Sequence, residues 1–303
     1  MKKLTTEYID PDLIDLDLRN NEEILDLLLD NQQQAVHAVK RAVPALDAAV
    51  ELSAARLQQS QTGRIVMVGA GASGRLAVQD GAELWPTFGW PQERLICCIA
   101  GGQNALMQSV EGVEDNADDA AKQVEHHQIG TSDVVIAVAA SGRSAWTCAW
   151  LEQSQQSGAL GVGVASNPDT LLLEIAQCPV LLETSAEVLA GSTRMAAGTA
   201  QKIALNLFST TLMIRLNRTY GNLMVDMAAS NRKLNDRRLR LLKAVLPALS
   251  NDDAERALDL AGGWVKLAAL IASGDSVEQA EQRLQAYDGS LRAALESLQA
   301  SPR

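Results

Sequence analysis

Two serine-bearing turns carry the first chemical information in this chain. Val66-Met67-Val68-Gly69-Ala70-Gly71-Ala72-Ser73-Gly74-Arg75 is a short apolar run that enters a glycine-rich turn and then helix-forming sequence. Asp133-Val134-Val135-Ile136-Ala137-Val138-Ala139-Ala140-Ser141-Gly142-Arg143-Ser144 repeats the plan with a second small-residue turn. Glycine lets such a turn point successive N–H groups outward, and the positive end of the following helix favours a bound anion. Two turns of this kind suggest one phosphorylated ligand. Strand-to-helix turns with no ligand are the plain alternative.

Neither turn is a nucleotide motif. Residues 69–74 have GxGxxG spacing, but a dinucleotide site calls for an acidic residue at the end of the next strand. Here the next apolar run, 95–100, is followed by Gly101-Gly102-Gln103, and neither turn holds the lysine of a P-loop. Two carboxylates stand near features that give them chemical interest. Glu83 lies where a helical stretch meets Trp85 and Phe88, and Glu114 lies in Val110-Glu111-Gly112-Val113-Glu114-Asp115. A carboxylate beside apolar rings is held towards its protonated form and can act as an acid near neutral pH. Spacing alone does not select these two from 37 acidic residues. The adjacent His126 and His127 lack the i, i+4 spacing of a metal pair and read as solvated surface. Cys97, Cys98, Cys148 and Cys178 show no disulfide framework and read as small core residues.

The elements that must position these groups alternate regularly. Apolar runs at 64–70, 95–100, 133–140, 160–166 and 179–183 are β-branched and nearly continuous, as in strands buried on both faces, and helix-patterned sequence separates them. The implied fold is α/β, a parallel sheet flanked by helices, with binding turns at the strands' carboxyl ends. Residues 21–58 read as a helical pair, with Pro44 near the start of its second helix. A long helical stretch runs from about 198 to 215, 217–222 interrupts it, and the sequence beyond 231 is helical with breaks at Pro247 and Gly274. The resulting division is an N-terminal helical segment over 1–58, an α/β domain over 59–220 and a C-terminal helical region over 221–303.

Composition narrows the partners. The chain has 303 residues, 47% hydrophobic, and a net charge of −11, so it lacks the basic face that nucleic acid requires. No stretch approaches the roughly 18 apolar residues of a membrane span, and Met1-Lys2-Lys3 leads into polar sequence rather than a signal core. A cytoplasmic protein with no nucleic-acid or membrane partner is expected. A small anion remains compatible with the acidic charge, because helix N-termini bind phosphate locally, and Arg75, Arg143 and Arg194 lie beside candidate turns.

Taken together, Gly-Ala-Gly-Ala-Ser-Gly-Arg-Leu at 69–76, Glu83 followed by Pro-Thr-Phe-Gly at 86–89, Ile-Ala-Gly-Gly at 99–102, Val-Glu-Gly-Val-Glu-Asp at 110–115, Ala-Ala-Ser-Gly-Arg at 139–143 and Gly-Ser-Thr-Arg-Met-Ala-Ala-Gly-Thr-Ala-Gln-Lys at 191–202 resemble the N-acetylmuramic acid 6-phosphate etherase family. Asn222-Leu223-Met224-Val225-Asp226 extends the likeness, which covers 64–226 well and the helical flanks loosely. The resemblance implies a sugar-isomerase-type (SIS) phosphosugar-binding domain, a flavodoxin-like three-layer sandwich. It also brings in a non-enzymatic relative, the glucokinase regulatory protein.

The implied activity is cleavage of a D-lactyl ether at C3 of the sugar by elimination and hydration. Through the ring-opened aldehyde this needs a base at C2, an acid for the departing lactate oxygen and water returned to C3, with no metal or redox cofactor. The resemblance implies Glu83 as that acid and Glu114 as that base. It implies Gly71, Ser73, Gly74, Ser141, Gly142, Ser144, Ser192 and Arg194 as the groups around the sugar phosphate. Departures from the family pattern are Ser185-Ala186 before Glu187 in place of Gly-Pro, Ala196 in place of a lysine, Gln103 in place of an acidic residue, and Ser144-Ala145 in place of Thr-Pro. An aldose–ketose isomerase on the same fold and a non-catalytic phosphosugar sensor are the alternatives. On a straight helix Glu83 stands about 15 Å along the axis from Ser73, which with the resemblance suggests a homodimer with sites near the subunit interface.

Overall fold

The computed structural model describes residues 4–227 and 232–300; the opening Met1-Lys2-Lys3 lies outside the described residues. Five strands, β1 (Ile65–Gly69), β2 (Leu95–Ile99), β3 (Val134–Val138), β4 (Leu160–Ala165) and β5 (Cys178–Leu181), form one parallel sheet in the order β2-β1-β3-β4-β5. This is the helix-flanked parallel sheet that the strand runs predict. β1, β3 and β4 are buried at every position, which requires cover on both faces. β5 ends at Leu181, short of the expected 183. It is an edge strand, where Pro179 can stand without an N–H to donate.

The helices are α1 (Asn21–Gln58), α2 (Gly71–Ala82), α3 (Leu84–Phe88), α4 (Asn104–Met107), α5 (Ala117–His126), α6 (Ala145–Gln156), α7 (Leu171–Ile175), α8 (Ala196–Arg215), α9 (Arg232–Val245), α10 (Asn251–Leu260), α11 (Val265–Ala272), α12 (Val277–Ala286) and α13 (Leu291–Ala300). Two compact units emerge, one of residues 1–81 and 93–210 and one of 82–92 and 211–303.

In the first unit, Val66, Val68, Val135 and Ala137 pack with Trp146 and Trp150 of α6 and Leu172 of α7. α1 packs against β3, β4 and β5. The expected helical pair is a single helix of 38 residues with Pro44 inside it. Proline forfeits one i→i−4 hydrogen bond at a cost of about 3 kcal/mol. The buried face offsets it: Ala35, Ala38, Val39, Ala42, Leu46, Ala49, Val50, Ser53, Ala54 and Leu57 keep helical phase across Pro44. Asn20 and Glu23 close the N-terminus with a capping box.

The second unit is a bundle of small and leucine-rich helices. Leu242, Ala254, Ala257, Leu258, Val265, Ala268, Ala269, Leu270, Ala280, Leu291 and Ala294 form its core, with Val225 joining from the preceding loop. Buried Asp226 accepts from buried Lys266 Nζ at 2.6 Å, and Arg218 approaches the same carboxylate at 3.5 Å. Arg218 also donates to Gly89 O at 3.3 Å and lies over the Trp90 ring, so the segment after α3 is fixed within this unit.

Candidate active site

The pairing of Gly69 with Val138 brings the ends of β1 and β3 side by side. There the strand order reverses, β2 lying on one side of β1 and β3, β4 and β5 on the other. In doubly wound sheets this is the crevice that holds ligands. Both serine turns leave from these two strand ends.

Close approach builds the first turn. A Cβ on Gly69 would sit 2.8 Å from Val138 O, and one on Gly74 would sit 2.6 Å from Gly69 O and 2.7 Å from Ile99 Cγ1, so α2 starts hard against the strand ends. Gly71 differs. Its φ is +54°, and a Cβ there would meet nothing within 4 Å. Gly71 therefore lies beside open space; Gly74 N donates to Ala70 O at 3.0 Å, and the amides of Gly71, Ala72 and Ser73 have no acceptor within their own helix. Backbone donors at the positive end of a helix are suited to an anion.

The hydroxyls divide into committed and available groups. Buried Ser73 donates to Gln201 Oε1 of α8 at 2.9 Å. Ser144 caps α6: its Oγ accepts from Thr147 N at 3.3 Å and Thr147 Oγ1 at 3.0 Å, and donates to Glu114 O at 3.2 Å. Ser141 Oγ accepts from Arg143 N at 3.2 Å and retains its own proton to donate. Gly142 adopts φ +65°, and the space a Cβ would need is filled by Thr170. Ser192 is half-buried in a turn closed by its N–H to Leu189 O at 2.9 Å and by Met195 N to its own carbonyl at 3.0 Å. Arg194 is exposed. Arg75 braces the segment around α4, donating to Ala105 O and Gln108 O at 2.9 Å each.

Of the two singled-out carboxylates, Glu114 is exposed in a short 3-10 turn, Val113–Asp115, and its carbonyl bond to Ser144 ties that turn to the β3–α6 loop of the same chain. Glu83 is exposed at the junction of α2 and α3 and belongs to the second unit, where its carbonyl accepts from Thr87 N at 3.1 Å. A third carboxylate, Glu187, enters the sequence reading only as the residue after the Ser185-Ala186 departure. Glu187 is 1% exposed, and its two oxygens accept from Ala196 N at 2.9 Å and Ala197 N at 3.0 Å, at the start of α8. Burial pushes its pKa up, and the two amides oppose that shift. Gly198 N and Thr199 N bond to Thr193 O and Met195 O, so the first turn of α8 is already satisfied.

The histidine reading needs correction at one position. His126 is exposed, but His127 is half-buried, with Nε2 3.5 Å from Cys98 Sγ and its ring near Trp150, and burial lowers its pKa. The cysteines are free, and burial raises Cys97 to about 11, Cys98 to about 12 and Cys148 to about 11, which keeps these thiols protonated at neutral pH.

Residues 48–154 match the family model of the glucokinase regulatory protein N-terminal SIS domain. An N-acetylmuramic acid 6-phosphate etherase of Deinococcus radiodurans is 47% identical over 291 residues, covering 96% of this chain and 94% of that protein. The corresponding etherase of Rubrobacter xylanophilus is 40% identical over 294 residues, covering 97% and 96%. Among solved structures, a phosphoheptose isomerase from Francisella tularensis aligns at a TM-score of 0.46 and 18% identity, covering 63% of this chain and 96% of that one.

Proposed function

The chain belongs to the N-acetylmuramic acid 6-phosphate etherase family, and we infer on that premise that it is a carbon–oxygen lyase acting on a phosphorylated amino sugar. It cleaves the D-lactyl ether of N-acetylmuramic acid 6-phosphate to N-acetylglucosamine 6-phosphate and D-lactate. The observation that carries this conclusion is 47% identity to a named etherase over 96% of the chain. The open, glycine-lined start of α2 beside the β3 turn agrees with a phosphate-bearing ligand.

Our assignment of roles takes the two carboxylates from the family resemblance and their division from the difficulty of the reaction. An alkoxide is a poor leaving group at neutral pH, so the ether leaves readily only if the C2 proton is first acidified by a neighbouring carbonyl, as in the open-chain aldehyde. Glu114 is the base that takes that proton and later activates water for return to C3. Glu83 is the acid that protonates the departing lactate oxygen. The phosphate is held by the first amides of α2 around Gly71 and by the hydroxyls of Ser141 and Ser192, while Gly74, whose N–H goes to Ala70 O, keeps α2 against the strand end. Ser73 and Ser144 act chiefly by fixing Gln201 and the Glu114 turn, and Arg194 supplies positive charge at the rim. The family route uses no metal or redox cofactor.

A cytoplasmic homodimer with sites near the subunit interface completes the proposal. α1 supports the dimer, because exposed Leu25, Leu29, Val36 and Val43 form a stripe about a quarter turn from its buried face, at roughly 100° per residue. No helix among the described residues is long and apolar enough to cross a membrane. Incubation with N-acetylmuramic acid 6-phosphate and an enzymatic assay for D-lactate tests the function. Lactate release supports it. Interconversion of an aldose and a ketose phosphate without lactate would identify an isomerase, and phosphosugar binding without turnover a sensor.

A further inference from the structure

Among the first described residues, Thr6 fastens the chain to the body. Leu4 and Ile9 are half-buried or exposed and Tyr8 is 46% exposed, whereas Thr6 is fully buried. A short 3-10 turn, closed by Glu7 N to Leu4 O and Tyr8 N to Thr5 O, at 3.1 Å each, directs Thr6 inward. Its N–H donates to Asn167 Oδ1 at 3.3 Å, its Oγ1 accepts from Asn167 Nδ2 at 3.0 Å, and its carbonyl accepts from Gly191 N at 3.1 Å. Asn167 Nδ2 also donates to Ala140 O at 3.0 Å. Asn167 follows β4, Ala140 immediately precedes Ser141, and Gly191 immediately precedes Ser192.

We propose that Thr6 and Asn167 form a clasp that sets the spacing between the Ser141 turn and the Ser192 turn, which makes the N-terminal segment a positioning element of the phosphate site. The proposal rests on the reading that these two turns hold the phosphate. The Ser141 and Ser192 turns are separated by two strands' worth of chain, yet the carbonyl of the residue before one and the amide of the residue before the other meet on a single Thr–Asn pair. Asn167 is 1% exposed and Thr6 0% exposed, so water does not substitute readily for these bonds. The apolar burial of residues 4–9 is slight, so the polar clasp rather than hydrophobic contact holds the segment. Thr170 extends the support by donating to Asn167 O at 3.3 Å while its side chain fills the space beside Gly142.

The test is calorimetric binding of inorganic phosphate to the full chain, with KM, kcat and thermal midpoint measured alongside. Thr6→Val removes the hydroxyl acceptor with little change of shape and should weaken phosphate binding and raise KM about 3- to 10-fold, with kcat within about twofold. Thr6→Ser keeps the acceptor and should restore wild-type binding. Deletion of residues 1–8 provides a second variant if Thr6→Val folds poorly, and it should show the same loss of phosphate affinity. Wild-type phosphate affinity in Thr6→Val, or in the deletion, would overturn the clasp. Phosphate binding needs no turnover, so an absence of lactate release from the wild-type chain would remove the etherase reading while leaving the clasp open to this measurement; a wild-type chain that releases lactate but binds no phosphate would overturn the clasp alone.

Discussion

Gly71 and Gly74 lie three residues apart in one turn, yet a methyl group added to each should act on different properties. At Gly74 an added Cβ would fall 2.6 Å from Gly69 O and 2.8 Å from Gly69 C, both backbone atoms, so α2 must move off the strand end. Overpacking of this kind costs about 1–3 kcal/mol of stability, and displacement of α2 disturbs the anion cradle as a by-product. At Gly71 an added Cβ meets nothing within 4 Å, so the stability cost is the left-handed backbone alone. That is about 1–2 kcal/mol at φ +54°. Its methyl projects into the space where the phosphate is proposed to approach the amides. If it removes one hydrogen bond to a charged group, about 1.5–3 kcal/mol of binding is lost, or roughly 10- to 150-fold. Urea denaturation and the inhibition constant of inorganic phosphate separate the two variants. Gly71→Ala should lose affinity out of proportion to stability, and Gly74→Ala should lose at least as much stability. A Gly71→Ala chain that binds phosphate like the wild type would refute the placement of the anion at this turn.

The two carboxylates separate by isotope exchange: Glu83→Gln should abolish lactate release yet retain some exchange of the C2 proton with solvent, whereas Glu114→Gln should lose both, and equal exchange in the two variants would contradict the division of roles. Subunit mixing addresses the shared site. Inactive Glu83→Gln and inactive Ser141→Ala chains, denatured together and refolded, should regain part of the activity if Glu83 serves a neighbour's phosphate site, while a fully active monomer would exclude that arrangement. Glu187 gives a pH signature. Its carboxyl is raised above 4.5 by burial, so its contribution to stability is complete below about that pH and is lost as the pH rises through the raised value. The unfolding free energy of Glu187→Gln relative to wild type should therefore shift in favour of the variant between acid and neutral pH. A difference that stays constant, or moves the other way, would show that the helix N-terminus holds the charged form more strongly than burial opposes it.

The sheet was legible because its strands are buried on both faces, and such strands read as unbroken apolar runs. The register that places Gly69 opposite Val138 was not legible, but the glycine pattern that depends on it was: Gly69 and Gly74 are small because strand end and helix start touch. α1 shows the opposite case. Pro44 is a strong local break signal, and a sequence reading divides the helix there, but the packing of ten buried residues in continuous phase overrides one missing hydrogen bond. Ser144 illustrates a third kind of limit. Its type and position fit a phosphate donor, and only the fold commits its proton to Glu114 O and its lone pairs to Thr147.

The same limit explains why two similar-looking motifs have different capacities. Gly69-Ala70-Gly71-Ala72-Ser73, which runs into the first turn of α2, and Gly191-Ser192-Thr193-Arg194, just before α8, both set glycine and serine at a helix start, and each alone reads as an anion site. At α8 the position is occupied. Glu187 brings its own carboxylate to the Ala196 and Ala197 amides, and Thr193 and Met195 carbonyls take the next two, so an incoming phosphate would find the backbone donors engaged and a buried acid beside them. Ala196, one of the expected departures from the family pattern, is 0% exposed and its N–H donates to that same acid, so a departure there would alter the surroundings of a buried carboxylate rather than those of an exposed loop. The α2 turn lacks such a plug at Gly71, where nothing lies within 4 Å of the added Cβ. Ser192 can therefore reach a ligand through its hydroxyl, whereas the α2 turn can offer backbone amides and helix dipole together. The ligand's charge is thus expected to centre on the β1–β3 crevice, with the 191–194 turn closing its side.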